Sequence, residues 1–329
     1  MSSQQWLEQV VEEIIDPDRP ICDPHHHLWD SAASPYLLPD LLADTGAGHN
    51  VVSTVFVECL SMYRATGPVE MRPVGETEFV NGAAAAMDSG YYGDMRGCAG
   101  IVGFADLLLG ANVGQVLDEH LRMSSRFRGI RHACAFDASP DIRRSHVDPP
   151  EHLYLRDDFR EGFAELAKRN LVFDAWLFHP QITELTDLAR AFPDTTIVLD
   201  HFGGPLGIGP YAGKQAEIYP KWQEDIRSLA QCDNVVAKLG GLLMPINGWG
   251  FHKRDLPANS DEIVVATAAY YPHTIECFGA HRCMFESNFP VDKQSCSYPV
   301  LWNACKKISS RDSTAEQDSL FHDTAVKCY

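Results

Sequence analysis

Three consecutive histidines stand near the start of the chain, in the stretch RPICDPHHHLWD at residues 19–30. The short apolar run before them is typical of a β-strand, along which successive side chains point to opposite faces. His25 and His27 therefore share one face, and His26 points to the other. Neutral imidazole is a common ligand for zinc and similar metals, so the spacing predicts that His25 and His27 bind one metal ion. Hydrogen-bonded or surface histidines are the alternative for an isolated pair.

Two further histidines stand at the ends of predicted strands. The segment FDAWLFHP ends one strand at His179, and IVLDHFGGP ends the next at His201. In a parallel barrel the carboxyl ends of the strands surround one cavity, so these side chains are expected to meet there. Three protein ligands and one open position form the usual catalytic zinc site. This makes His201 the predicted third ligand and His179 a further candidate.

Short β-branched runs alternate with helical patterns along almost the whole chain, which indicates repeated βα units on a parallel sheet. Eight runs are predicted to be strands, near residues 21, 51, 96, 127, 171, 195, 234 and 282. They predict one (β/α)8 TIM barrel domain over residues 1–329, with residues 1–19 as an N-terminal helical extension. Helix candidates include DEIVVATAAYYPHTIECFG at 261–279. A doubly wound open sheet is the alternative, although no GxGxxG loop follows the first strand.

Three connections, after strands 4, 6 and 7, are longer than a structural link requires. They span residues 137–158, 202–220 and 242–260, and each follows the carboxyl end of a predicted strand. In a barrel that face holds the active site, so these loops are expected to shape a pocket. Surface connections without such a role are the alternative.

The overall charge and the cysteines exclude several classes of protein. A formal net charge of −18 disfavours binding to nucleic acid or to an anionic membrane surface, although a local basic pocket could still hold an anionic substrate. The ten cysteines form no CxxC pair, which argues against a zinc ribbon or a thioredoxin-like motif. The chain shows neither the pattern of a secretory signal nor an apolar run of about 18 residues. We therefore predict a cytoplasmic protein with reduced cysteines, which is either a monomer or a homo-oligomer.

The order of five motifs along the chain resembles the amidohydrolase superfamily. They are DPHHHLWD, GIRH, DHFGGP, NVVAKLGGL and RCMFESNFPVDK. More narrowly, the chain resembles amidohydrolase-2 proteins such as 2-pyrone-4,6-dicarboxylate lactonase, 4-sulfomuconolactone hydrolase and fuconolactonase-like enzymes. The resemblance implies an amidohydrolase-type barrel whose catalytic centre holds His25, His27 and His201, often around a divalent metal. We expect this metal to be zinc, and the resemblance leaves a metal-free mechanism open.

One motif departs from the family pattern. Where the family usually has an aspartate after the eighth strand, the segment ESNFP places Asn288. An amide can orient a water molecule but cannot accept its proton, so another group is needed if the reaction requires a base. We predict Glu58 or Glu286, because burial near a strand end would raise the pKa of such a carboxylate. Asp200 is equally suited to holding an imidazole, and a metal ion could activate water without a strong base.

A cationic side chain at the end of the fourth strand could anchor an acidic substrate. Arg131 has the planar fork that binds a carboxylate in a bidentate manner. His132 and Asp292 are predicted to contact substrate beside it. Weaker candidates, each more often a solvated or structural residue, are Arg143, Arg144, His146, Lys238, His252 and Lys293.

The resemblance implies a hydrolase that opens a lactone or related cyclic ester by attack of metal-bound water. The substrate would then be a small lactone or anionic molecule, and ring opening would yield a hydroxy acid. The breadth of the family supplies a second enzyme hypothesis, a non-oxidative decarboxylase or hydratase of an aromatic or dienoic acid. A third hypothesis is a catalytically inactive barrel that binds a small molecule, for which Asn288 is the main support.

Overall fold

Eight parallel strands pair in sequence order in the computed structural model, which describes residues 3–31 and 34–329. The strands are β1 (Ile21–His26), β2 (Val51–Val57), β3 (Arg96–Gly103), β4 (Phe127–Arg131), β5 (Val172–Ala175), β6 (Ile197–Leu199), β7 (Val235–Leu239) and β8 (Cys283–Phe285). A parallel bridge between His26 and Phe289 joins β1 to the segment after β8 and brings the ends of the sheet together. The predicted (β/α)8 barrel is confirmed.

Helices follow the strands and cover the outside of the barrel. They are α1 (Ser3–Leu7), α2 (Leu38–Thr45), α3 (Val74–Asp88), α4 (Val113–Met123), α5 (Asp157–Ala167), α6 (Ile182–Ala191), α7 (Gln215–Leu229), α8 (Ser260–Thr267), α9 (Tyr270–Phe278), α10 (Tyr298–Ile308), α11 (Thr314–Asp318) and α12 (Thr324–Cys328). The single helix predicted over 261–279 is two helices, α8 and α9. Pro272 lies in the first turn of α9, where its missing N–H costs no intrahelical hydrogen bond.

The N-terminal extension is a helix only from Ser3 to Leu7, so the prediction of a helix over residues 1–19 is wrong beyond Leu7. Residues 10–20 have no regular secondary structure, and residues 1–2 lie outside the described part. Tertiary hydrogen bonds replace the helical ones. Asn303 Oδ1 accepts from Ile15 N at 3.0 Å, and Glu12 Oε1 accepts from Ser260 N at 2.7 Å. The polar groups of this segment therefore dock it onto α8 and α10.

Replacing Asn303 with alanine is expected to lower the free energy of unfolding by about 1–3 kcal/mol, because the buried partners of its amide lose their hydrogen bonds. Asn303 is fully buried and also donates from Nδ2 to Glu12 Oε2 at 3.0 Å. Denaturant unfolding and limited proteolysis of the N-terminal segment measure the effect. Asn112→Ala, at an exposed position, is the control. Equal stability of the two variants would contradict the docking role.

All ten cysteines are free thiols, and burial raises the pKa of Cys98 to about 12 and that of Cys22 to about 11. These two thiols are therefore protonated at neutral pH.

Within residues 3–31 and 34–329, no helix combines the length and the apolar character that crossing a membrane requires.

Candidate active site

A cavity of about 420 Å³ opens among side chains that follow the carboxyl ends of the strands. One part of its wall is cationic and another is aromatic. The cationic side chains are Arg131, Arg143, Arg144 and His146, and the aromatic ones are Trp29, Trp176 and Phe178. The cavity is thus suited to a small molecule that combines a ring with an anionic or strongly polar group.

Two of the three long loops contribute to this wall. The loop at 137–158 supplies Arg143 to His146, and the loop at 242–260 supplies Met244 and Ile246. Among the described residues, the loop at 202–220 supplies none of the lining side chains. The prediction of pocket-forming loops therefore fits the loops after β4 and β7, and the end of β5 contributes instead of the loop after β6.

Three buried side chains converge beside the cavity: His25 at the end of β1, and Asp200 and His201 directly after β6. One donor atom from each lies within 4.8 Å of the others. His25 Nδ1 and Asp200 Oδ1 are 3.9 Å apart. Two imidazoles and a carboxylate are a typical donor set for a divalent transition metal such as zinc.

Glu286, which follows β8, contacts both imidazoles of this group. Its Oε1 lies 2.6 Å from His201 Nδ1, and its Oε2 lies 2.8 Å from His25 Nδ1. Burial raises the pKa of Glu286 to about 8 against the opposing charge of Lys238, and burial lowers the pKa of His201 to about 3. Burial also lowers the pKa of His25 well below its usual range. Both imidazoles are therefore neutral at physiological pH, which is the state that binds metals.

Several buried polar atoms of this group have no partner in hydrogen-bond geometry among the described residues, although His25 Nδ1 and Glu286 Oε2 lie 2.8 Å apart. They are His25 Nδ1, both carboxylate oxygens of Asp200, and Glu286 Oε2. An unsatisfied buried polar group costs about 1–3 kcal/mol, and charged groups cost more. Because these atoms lie close together and carry lone pairs, a divalent cation would satisfy them. The residues present therefore fit a metal ion.

His27 lies next to this group but is not one of its three members. The centres of the His25 and His27 rings are 5.0 Å apart. His27 Nδ1 lies 2.8 Å from the carbonyl oxygen of Val57, which requires Nδ1 to carry the proton and leaves a lone pair on Nε2. The side chain also lines the cavity. His27 is thus held in the tautomer that a ligand through Nε2 needs.

His179, the further candidate ligand, is not brought to the other histidines. Its Nδ1 accepts a hydrogen bond from the backbone N–H of Leu206 at 3.3 Å, and its ring packs against Tyr211. It neither belongs to the donor group nor lines the cavity. The placement corrects the interpretation of His179, because a histidine at a strand end can support the following loop as well as face the cavity.

His132 and Asp292, the predicted substrate contacts beside Arg131, also lie outside the cavity wall. His132 Nδ1 accepts from the N–H of Leu107 at 3.2 Å. Asp292 is fully buried and accepts from Asn288 Nδ2 at 3.1 Å. Both side chains therefore stabilise the surrounding structure, and Asp292 fixes the amide of Asn288 at the cavity wall.

Arg131 lines the cavity, but other side chains of the protein already engage its guanidinium. Nε donates to Glu58 Oε1 at 2.7 Å, and Nη2 donates to the backbone oxygen of Glu58 at 2.6 Å. Nη1 lies 3.3 Å from His25 Nε2 and 3.6 Å from Asp200 Oδ2. Arg131 therefore contributes a fixed positive charge beside the donor group, and its fork is not free for bidentate binding of a substrate.

The structure reverses the expected pKa shift of Glu58. Burial alone would raise its pKa, but the charges of His146 and Arg131 outweigh burial and lower the pKa to about 2. Glu58 is fully buried and does not line the cavity. It is thus an ionised partner of the Arg131 guanidinium and the His146 imidazole, and a poor proton acceptor for substrate or water.

Two charged residues inside the barrel extend the network below the donor group. Lys238, considered from the sequence as a substrate anchor, is fully buried and lies 2.5 Å from Asp174 and 3.5 Å from Asp200. Tyr329 donates from its hydroxyl to Asp174 at 2.8 Å. Asp174 was not among the residues predicted from the sequence, although a carboxylate in the apolar strand segment FDAWLFH was a usable signal.

Two glycines after β7 make room for the donor group. A Cβ atom on Gly241, whose φ is +66°, would lie 2.2 Å from His201 Nδ1. A Cβ atom on Gly240 would lie 2.4 Å from Glu286 Cγ. Any larger residue would displace these two side chains, so the glycines serve the protein's own side chains and need no contact with substrate.

A (β/α)8 barrel with histidines and carboxylates gathered at the carboxyl ends of its strands defines a class of barrel with a candidate metal centre. Within that class the chain belongs to the amidohydrolase family, because the family model described as Amidohydrolase (Amidohydro_2) matches residues 22–329.

Individual relatives share most of their length with this chain. The uncharacterized protein y4mH of Sinorhizobium fredii is 34% identical over 95% of this chain and 99% of its own length. An L-fucono-1,5-lactonase of Burkholderia multivorans is 28% identical over 70% of this chain and 71% of its own length. A solved amidohydrolase structure from B. multivorans with bound zinc has a TM-score of 0.71 and 24% identity, and covers 94% of this chain and 98% of its own. This last likeness supports the fold.

Proposed function

We propose that this protein is a metal-dependent hydrolase that opens the ring of a small lactone. The observation that carries the proposal is the convergence of buried donor atoms on His25, Asp200 and His201 beside a cavity of ligand size, with both carboxylate oxygens of Asp200 lacking a hydrogen bond to a described residue. The relative named L-fucono-1,5-lactonase supports a lactone as the substrate class. Its identity is low enough that the particular lactone need not be the same.

His25, Asp200 and His201 would hold the metal, with His27 as a further ligand through Nε2. Zinc is the metal proposed, because imidazole and carboxylate donors suit it. A divalent ion, when bound, polarises a carbonyl oxygen and lowers the pKa of water to about 7. Glu286 orients the rings of His25 and His201, as carboxylates commonly do for ligating histidines.

The chain's own side chains would bind the substrate and stabilise developing charge. Trp29, Trp176 and Phe178 offer apolar surfaces for the ring. Arg143 and Arg144 would attract an anionic substituent, in contrast to the acidic protein as a whole. The fixed charge of Arg131 favours negative charge on the carbonyl oxygen during attack by water.

Metal analysis combined with a substrate screen tests the proposal. Protein purified without a histidine tag is expected to contain a stoichiometric divalent ion. It is also expected to hydrolyse at least one member of a panel of sugar lactones and carboxylated lactones. Prolonged dialysis against a chelator should abolish hydrolysis, and added zinc should restore it.

The same screen includes aromatic and dienoic acids as an internal comparison. Decarboxylation or hydration of these acids without lactone opening would contradict the proposal and favour the second enzyme class. Tight binding without turnover of either set would favour an inactive binding barrel. Full lactone hydrolysis by metal-free protein would contradict the role of the metal while retaining the hydrolase.

A further inference from the structure

His146 lies in the loop between β4 and α5 and combines access to the cavity with a buried carboxylate partner. It lines the cavity, and 26% of its side chain is exposed. Its Nε2 lies 3.0 Å from Glu58 Oε2. Glu58 is fully buried, and its other carboxylate oxygen accepts from Arg131 Nε. The loop therefore presents to the cavity an imidazole whose orientation a fixed carboxylate controls.

Few of the described lining residues can exchange a proton near neutral pH. The arginines keep their protons, and burial raises the pKa of the Cys59 thiol well above its usual range. Three histidines remain in the wall: His27, His146 and His201. Two of these are proposed metal ligands. His146 is thus the remaining lining histidine with an imidazole available for proton transfer.

The carboxylates considered as bases do not reach the cavity directly. Glu58, Asp200 and Glu286 are each fully buried, and none of them lines the cavity wall. Asn288 does line the wall, but an amide does not accept a proton in this range. Among the described lining residues, a proton from a water molecule in the cavity therefore has a direct acceptor in His146 and no carboxylate acceptor.

We propose, on the basis of the lactonase function proposed above, that His146 is the catalytic acid–base residue. Its neutral imidazole takes a proton from water as the water oxygen bonds to the carbonyl carbon. When the carbonyl re-forms, the ring C–O bond breaks, and its electron pair stays on the ring oxygen. The imidazolium then returns the proton to that oxygen, which gives a hydroxy acid and neutral His146. Glu58 accepts from Nε2–H throughout, and is therefore a positioning residue that also stabilises the imidazolium.

The charges around His146 oppose one another. The carboxylate beside the imidazole is Glu58, and the cationic groups nearby are Arg131, which contacts Glu58, and Arg143 and Arg144 in the same wall. His132 also lies within electrostatic range of His146. The imidazole must be neutral to begin the cycle. A general base acts only in its unprotonated form, so hydrolysis is expected to decline on the acidic side of the pH profile.

The test compares His146→Ala and His146→Gln with His152→Ala and His152→Gln. His152 is a matched control because it lies in the same loop, pairs with Glu184 and is 62% exposed. With a lactone that the wild type opens, the His146 variants are expected to lose about 10²- to 10⁴-fold in kcat, the range typical of general acid–base catalysis. They should also lose the acidic limb of the pH profile, whereas the His152 variants should keep the wild-type kcat and the acidic limb.

Chemical rescue separates catalysis from structure. Imidazole added to the buffer is expected to raise the hydrolysis rate of His146→Ala by at least tenfold and to leave the rate of His152→Ala unchanged. Unaltered metal content and thermal unfolding would show that the variants are folded and loaded. An acidic limb that persists in His146→Gln, or a kcat within threefold of wild type, would overturn the role of His146 alone. A wild type that opens no lactone would overturn the lactonase proposal, and the role of His146 with it.

Discussion

The variant His201→Ala is expected to lose bound metal and to have a strongly lowered kcat. Loss of a residue that only hydrogen-bonds a metal ligand typically costs roughly 10- to 100-fold, and the loss here should exceed that range. The reason is that His201 supplies one of three convergent donor atoms in a fully buried group. Alanine provides no donor, and water would have to enter a space that was filled by an imidazole. Metal content after dialysis and kcat on the best lactone are the measurements.

His179→Ala is the matched comparison, because both residues are buried histidines in the segments directly after neighbouring strands. The expected result is that His179→Ala keeps its metal and loses only modest stability, since Nδ1 accepts one hydrogen bond from Leu206 N. From the sequence, His201 was the predicted third ligand and His179 a further candidate. If His179→Ala lost the metal and His201→Ala retained it, the assignment of the donor group would be wrong.

The strands of the barrel could be predicted because their cause is local. β2 consists of the run VVSTVFV, and β-branched and aromatic side chains such as these are enriched in strands. The N-terminal extension could not be predicted in this way. Its amphipathic pattern fits a helix, but Glu12 and the backbone of Ile15 find partners on α8 and α10 that lie far away in sequence.

Alternation along the strand predicted that His25 and His27 share one face, but it could not predict the arrangement at His201. Asp200 and His201 are adjacent, so a regular strand would send their side chains to opposite faces. In the structure both belong to the same donor group. The strand ends at Leu199, and His201 has a positive φ of 54°, which breaks the alternation. A left-handed residue at a strand end is a tertiary effect that residue type does not reveal.

The electrostatic roles were predicted least well, because they depend on partners from different strands. Glu58 was expected to become a stronger base through burial, and the sequence gives no sign that both Arg131 and His146 contact it. Lys238 was considered a substrate anchor, yet its ammonium group lies between two buried carboxylates. Residue type indicates which groups can ionise. Only the packing of the strands decides which charge each of them faces.

Lys238→Met is expected to lower the free energy of unfolding by about 3–5 kcal/mol at pH 8, the usual cost of removing one partner of a buried ion pair. Methionine fills a similar volume, so the loss would come from charge. The variant leaves Asp174 and Asp200 buried without the cation that lies 2.5 Å and 3.5 Å from them. Denaturant unfolding in the presence of a chelator measures the effect without a contribution from bound metal.

The loss of unfolding free energy in Lys238→Met should become smaller as the pH falls. In the wild type, burial raises the pKa of Asp200 to about 6 even though Lys238 opposes the shift, so removal of Lys238 should raise this pKa further. A carboxyl whose pKa is raised on folding costs stability above the folded pKa, and this cost disappears below the unfolded value of about 4. The variant should therefore regain stability relative to wild type between about pH 8 and pH 5.

Lys221→Met is the control, because the Lys221 side chain is 62% exposed and pairs within α7 with Asp225, whose side chain is 9% exposed. A pair whose cation stays in water contributes about 0–1 kcal/mol, so this variant is expected to show a small loss without the same pH dependence. A loss in Lys238→Met that stayed constant from pH 8 to pH 5 would point to packing as its cause. Equal losses in both variants would mean that the buried carboxylates do not depend on Lys238 for their stability.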